Sequence, residues 1–161
     1  MRRRQRGFSL IELLIVVAII LIIAAISIPN LTKTRISPNE ASAVASVQTI
    51  IKAQQMYSSL HPDLGFTCSL AELGPSSGSQ GSSGAGIIDG ALASGTKSGY
   101  NVALTNCTGG TNQPKVTYLI IATPVVDNQT GIRRFCSDES GQVRYAGLGE
   151  TCDPNNSKPL Q

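Results

Sequence analysis

The hydrophobic positions fall into three regimes along the chain. From Phe8 to Ile28 they are nearly continuous, with only Ser9, Glu12 and Ser27 as polar interruptions across 21 residues. At about 1.5 Å rise per residue, a helix of that length matches the roughly 30 Å hydrocarbon core of a bilayer. Pro29 follows at once. It removes one helical hydrogen bond and disfavours helical geometry at Ile28, so a kink or local melt is expected there. The second regime is amphipathic. Ser37-Pro38-Asn39-Glu40 reads as a helix start, with Ser37 as cap, Pro38 in the first turn and Glu40 three residues after the cap. The helix so begun is expected to reach Leu60, where His61-Pro62-Asp63 ends it. Its apolar side carries Ala43, Val44, Val47, Ile50, Ile51, Ala53, Tyr57 and Leu60, an arc wider than packing on one sheet requires.

The third regime, 61–161, is a headpiece rich in turns. Residues 74–99 are dominated by Gly and Ser, with Ile87, Ile88 and Leu92 as the sizeable apolar anchors. They read as a long exposed loop with a helical turn at Asp89 to Ala93. Four strand-like runs are expected: Tyr100 to Thr105, Lys115 to Ala122, Arg133 to Ser137 and Gln142 to Tyr145, with a hairpin turn at Asp138-Glu-Ser-Gly141. The fold class is therefore α+β, a long N-terminal helix laid on a three- or four-stranded antiparallel meander. The tail beyond Gly147 is expected to be loose apart from Cys152.

Charge and cysteine usage narrow the function. The formal charge of +3 depends on Arg2, Arg3, Arg4 and Arg6; without these four the balance is +3 − 4 = −1. A chain processed beyond these arginines would be near neutral, so a general phosphate-binding surface is not implied; the few aromatics are not interleaved with basic residues, and nucleic acid is not indicated as a partner. The same arginines hold the N-terminus in the cytoplasm and send the remainder across the membrane. Ala24-Ala25-Ile26 is a poor secretory cleavage site, so the apolar run is an anchor. Cys68, Cys107, Cys136 and Cys152 form no C-x-x-C pair, and His61 is the single histidine, so a zinc site lacks its usual spacing. An even count beyond a membrane signal points to two disulfides. Of the three connectivities, Cys68–Cys107 with Cys136–Cys152 is favoured, because the latter closes a short terminal loop around a strand end. No metal or cofactor is expected: the acidic residues Asp63, Asp127, Asp138 and Glu139 lack a coordinating spacing. Gly74 to Gly78 matches G-x-S-x-G formally, without the preceding strand and following helix that make it a nucleophile elbow. Three short glycosylation sequons, at Asn106, Asn128 and Asn155, carry little weight.

Glu12 is the residue out of place. A carboxylate inside an apolar run needs a partner, and no basic residue lies in the same stretch. The counter-charge must come from the chain's own new N-terminus, from lipid head groups or from another subunit. Arg6-Gly-Phe-Ser-Leu-Ile-Glu12 resembles the prepilin signature of type IV pilins and type II secretion pseudopilins. The resemblance is close over about the first thirty residues and architectural beyond them. It implies a type IV pilin-like fold, cleavage by prepilin peptidase between Gly7 and Phe8, and N-methylation of Phe8. It further implies that Glu12 sets register by pairing with the Phe8 amine of a neighbouring subunit, and that the proline at 29 marks a stretch that melts in assembled fibres. The expected organisation is a leader (1–7), a membrane and filament-core helix (8–28), a kink with continuation helix (29–60) and a disulfide-stapled headpiece (61–161).

These readings describe a structural subunit, not an enzyme. It would be held in the bacterial inner membrane with its headpiece in the periplasm, then assembled into a homo-oligomeric surface filament. An assembly ATPase and a platform protein are partners that the resemblance implies. A pseudopilin of a type II secretion system is the alternative within the family. A single-span anchored ligand-binding domain is the alternative from another class.

Overall fold

The computed structural model describes residues 8–76, 84–109 and 113–160, with the side chains of 26–33 outside that description. One helix, α1 (Leu10–Leu60), runs from the apolar segment into the headpiece. It passes through Pro38 without a break, which corrects the helix start expected at Ser37. Ser37 is exposed and Glu40 is turned into the headpiece. The upstream helix already satisfies the amides a cap would serve, and one missing proline N–H costs a single bond. The helical assignment also continues across Pro29. Helix α1 ends where expected: the His61 N–H reaches the Tyr57 carbonyl at 2.9 Å, and Pro62 brings no donor to continue the ladder.

Two single-turn helices follow, α2 (Leu70–Leu73) and α3 (Gly90–Ala93). The expected turn after Asp89 is α3, capped by the Asp89 carboxylate accepting from the Leu92 N–H at 3.0 Å. The surrounding segment is less exposed than its Gly/Ser content suggests. Ile88 and Leu92 are buried, and the amides of Ala85 and Ile87 bond back to the carbonyls of Glu72 and Leu73. The most Gly/Ser-dense part, 77–83, lies outside the described residues.

The sheet has six antiparallel strands: β1 (Thr96–Lys97), β2 (Tyr100–Thr105), β3 (Leu119–Pro124), β4 (Arg134–Asp138), β5 (Arg144–Ala146) and β6 (Lys158–Pro159). Their order in space repeats their order in the chain. The four expected strands are β2 to β5, with β3 starting four residues later than the hydrophobic run; Lys115 instead bridges to Gly65 in a neighbouring loop. The turn into β5 is the expected one, with Gly141 at φ +75° donating to the Asp138 carbonyl at 3.0 Å. Strands β1 and β6 were not legible, because a two-residue strand has no periodicity. The tail is also better ordered than expected. Strand β6 pairs with β5, and the Leu160 N–H donates to the Val143 carbonyl at 2.9 Å.

Alternation places the core. Val47, Ile50 and Tyr57 of α1 meet Tyr100, Val102, Ile120, Ala122 and Phe135 on one face of the sheet. The other face of β4 presents Cys136, which is bonded to Cys152 and packed with Ala146 and Leu119. The terminal segment thus covers the sheet opposite the helix. The second disulfide joins Cys68 and Cys107, with Cα atoms 5.9 Å apart, so both bonds follow the favoured connectivity. Gln54, fully buried on α1, acts as a strand surrogate. Its amide donates to the Thr67 carbonyl at 2.7 Å and accepts from the Thr67 N–H at 3.0 Å, satisfying both backbone groups of a buried loop residue.

Candidate assembly segment and its junction with the headpiece

The first turns of α1 project from the headpiece, and none of the described residues buries them. Phe8 is 79% exposed, and every large apolar residue from Leu10 to Ile23 is exposed, on all sides of the helix. Full burial of such a side chain is worth about 1.5–3 kcal/mol, so covering this stalk would release on the order of 20 kcal/mol. A helix apolar around its whole circumference belongs in lipid or among other helices. Among the described residues no helix is long and apolar enough to cross a membrane. The described side chains of the apolar run stop at Ala25, and the expected segment extends to Ile28.

Gly7, and with it the Gly7–Phe8 bond, lies outside the described residues. Glu12 is exposed on the first turn, where its carboxylate accepts the Ser9 N–H of its own chain at 3.3 Å. The spacing Ser9-x-x-Glu12 is a capping-box pattern and was a legible signal for this helix start. The carboxylate therefore supports the helix start, and among the described residues it has no cationic partner.

The junction between stalk and headpiece is built on Glu40, which is 6% exposed. Its Oε1 accepts the Ile132 N–H at 2.9 Å and the Arg133 N–H at 3.0 Å, while Oε2 faces the Arg133 guanidinium, with Nε and Nη2 each at 2.7 Å. Burial alone would raise this carboxyl. The two backbone donors and the Arg133 charge outweigh it and hold the group below its ordinary value. Asn39 adds a bond to the Thr130 carbonyl at 3.0 Å. The tyrosine hydroxyl of Tyr100 donates to the Arg133 carbonyl at 2.8 Å; burial, then the Glu40 charge, push that phenol up. Gly131 has to lack a side chain, since a Cβ there would run into the Tyr100 ring. The β3–β4 loop is thereby fastened to the helix at Glu40, the first buried position among its described residues.

Glu40, expected in a capping box after Ser37, binds the β3–β4 loop instead. Arg133 pairs with Glu40 and lies 5.6 Å and 5.5 Å from the Phe135 and Tyr145 ring centroids. Arg134 reaches the Glu150 carbonyl and Asp127. No local spacing links residues more than ninety positions apart. The formal G-x-S-x-G stretch begins at Gly74, the residue that closes α2, and continues into residues outside the description. His61 caps the far end of α1, with its ring 4.7 Å from Tyr57.

Residues 2–28 match the family described as the prokaryotic N-terminal methylation motif. The chain is 49% identical over 55 residues to the type IV wide pilus major component PilA4 of Thermus thermophilus, covering 34% of this chain and 42% of that one. It is 46% identical over 54 residues to the type IV major pilin protein PilA of Myxococcus xanthus (34% and 24% of the two chains). It is 33% identical over 57 residues to the type II secretion system core protein G of Dickeya chrysanthemi (35% and 37%). The matches thus span about a quarter to two-fifths of these relatives' own lengths. No solved structure matches. With the bare apolar stalk and the α+β headpiece, they support the pilin and pseudopilin family.

Proposed function

We propose that this chain is a structural subunit of a type IV pilus-like filament. The observation that carries the reading is the stalk, apolar on every side and continuous with the helix of a disulfide-bonded headpiece. Such a stalk has two stable settings, a bilayer before assembly and a bundle of identical helices after it. Prepilin peptidase would cut between Gly7 and Phe8, and Phe8 would be methylated. Glu12 would then exchange its local bond to Ser9 for the Phe8 amine of a neighbour, since a buried carboxylate and a buried ammonium cost least when they meet. Residues near Pro29, where one helical bond is missing, are the place for the stalk to yield under load. The role is structural and requires no catalysis. An assembly ATPase and platform protein would lift the subunit from the inner membrane to the cell surface.

A pseudopilin of a type II secretion system is the second reading, favoured by the similarity to core protein G. Mass spectrometry of material sheared from the cell surface separates the two. Abundant chain beginning at methylated Phe8 is the expected result for a pilin. Chain cut at Phe8 but confined to the envelope would favour the pseudopilin. Uncut chain starting at Met1, with the peptidase present, would defeat both.

A further inference from the structure

The headpiece turns one end toward its own stalk, and that end is both apolar and basic. The β3–β4 loop lies there, held to α1 through Asn39 and Glu40. Val125, Val126 and Ile132 of this loop are 47%, 43% and 42% exposed, and the monomer core closes without them. With half-buried Ile36 of α1, Ile132 lines an open cleft of about 500 Å³ that Arg133 borders. Arg133 gives Nε and Nη2 to Glu40, which leaves its Nη1 without a protein partner among the described residues. Exposed Arg35 adjoins Ile36 in the helix and has no ion pair among the described residues. The acids of this end are engaged: Glu40 is buried, Asp127 faces Arg134 at 3.4 Å, and Glu150 accepts the Gly147 N–H at 3.0 Å. Along the chain, Lys33 and Arg35 are the only ionisable residues between Glu12 and Glu40.

From this we infer that, before assembly, this end of the headpiece rests on an anionic phospholipid surface, the leaflet from which its own stalk emerges. The inference rests on the filament-subunit reading, which sets residues 8–28 in a bilayer. Charge and position choose the occupant. Arg35 stands seven positions beyond Ile28, roughly 10 Å at the helical rise, and the headgroup layer is about 5–8 Å deep. Its long stem lets the guanidinium reach back to phosphate. The loop, at the level of Glu40, stands roughly 18 Å above the same boundary on an upright helix. Spanning helices tilt by about 20° on average, and a lean to the loop side lowers Val126 and Ile132 toward the interface. There the cations meet phosphates while the apolar side chains leave water. Removal of residues 1–7 would take away the four leader arginines, so Lys33 and Arg35 become the basic residues that flank the apolar run. The contact holds a cleaved subunit by its headpiece end until extraction lifts it off the leaflet.

The chain has no tryptophan, so Val126→Trp supplies a single fluorescent reporter at the loop. The full chain carrying it is reconstituted at high lipid excess, which keeps copies apart. The vesicles are phosphatidylethanolamine with phosphatidylglycerol, or phosphatidylcholine alone. Flotation reports insertion of the stalk, and quenching by lipids brominated near the headgroup reports contact of the loop. The expected result is flotation with both vesicles, with blue-shifted and quenched emission only where phosphatidylglycerol is present. Lys33→Gln combined with Arg35→Gln should weaken docking about thirtyfold, at about fivefold for each basic residue. Salt at about 1 M, where screening acts within about 3 Å, should release the loop as well. Chain that floats but keeps a water-exposed tryptophan, or is quenched equally in phosphatidylcholine, would overturn the lipid contact and leave the filament subunit standing. Chain that does not float would defeat the membrane setting, and the contact with it. The substituted positions lie outside the core, and retention of both disulfides, read by mass, checks the fold.

Discussion

Replacing Glu40 tests whether one buried carboxylate holds stalk and headpiece together. In Glu40→Ala the N–H groups of Ile132 and Arg133 lose their acceptor in a partly buried loop. An unsatisfied buried donor costs about 1–3 kcal/mol. The Arg133 side chain is 43% exposed and can rehydrate, so its ion pair is discounted to about 1 kcal/mol or less. The expected loss is about 3 kcal/mol. Glu40→Gln keeps one carbonyl acceptor for the amides and should lose only about 1 kcal/mol. The pH dependence has a definite sign. The folded-state carboxyl lies below its ordinary value of 4.5, so its stabilisation is complete above that value and is lost as pH falls through the lower folded value. The gap between wild type and Glu40→Gln should therefore be present at pH 7 and shrink as pH falls below 4.5. Urea unfolding of the full chain in detergent micelles, with disulfides oxidised, measures it through the near-ultraviolet dichroism of buried Tyr100 and Tyr118. A Glu40→Ala variant within about 0.5 kcal/mol of wild type, or a Gln gap unchanged between pH 7 and pH 3, would refute the reasoning.

Three further outcomes are expected. Glu12→Ala should leave a cleaved, membrane-inserted subunit that assembles poorly; normal fibres from that variant would remove Glu12 from any register role. Removing the Cys136–Cys152 bond by serine at both positions opens a loop of sequence separation 16 and should cost about 3 kcal/mol, with residues beyond Gly147 becoming sensitive to limited proteolysis. Gln54→Leu keeps the volume and strands both backbone groups of Thr67, so urea unfolding should show a loss of about 3 kcal/mol despite the more apolar core.

Much of the fold was legible because it is written in local periodicity. The apolar face of α1, its end at Leu60, the four central strands and the turn at Gly141 all follow from spacings shorter than a dozen residues. Disulfide pairing was reached from loop length. What escaped depended on distance or brevity. Glu40 fitted a capping box in its own sequence, yet its partners lie 92 and 93 positions away. Strands β1 and β6 are too short to alternate. The terminal segment looked loose because its composition is polar, while its order comes from Cys152, from β6 and from a turn in which Asp153 bonds Ser157 and Asn156. At the assembly segment the balance reversed. The prepilin-type string was plain in the residues, and the structure added the Ser9 bond that occupies Glu12 in a lone subunit.

The sheet's spatial order, which repeats the chain order, has a consequence for how the headpiece forms. Each strand meets the one made just before it, so contact order within the sheet is low and pairing can advance strand by strand as the chain is delivered. The bonds from Glu40 to Arg133 span 93 positions and cannot form until β3 is complete and the loop behind it has arrived. A headpiece caught before that moment has at most β1 to β3 and no fixed bearing on its stalk. Locking the two together can then close before β4 to β6 are delivered, so the helix has its bearing on the sheet while half of the strands are still to come.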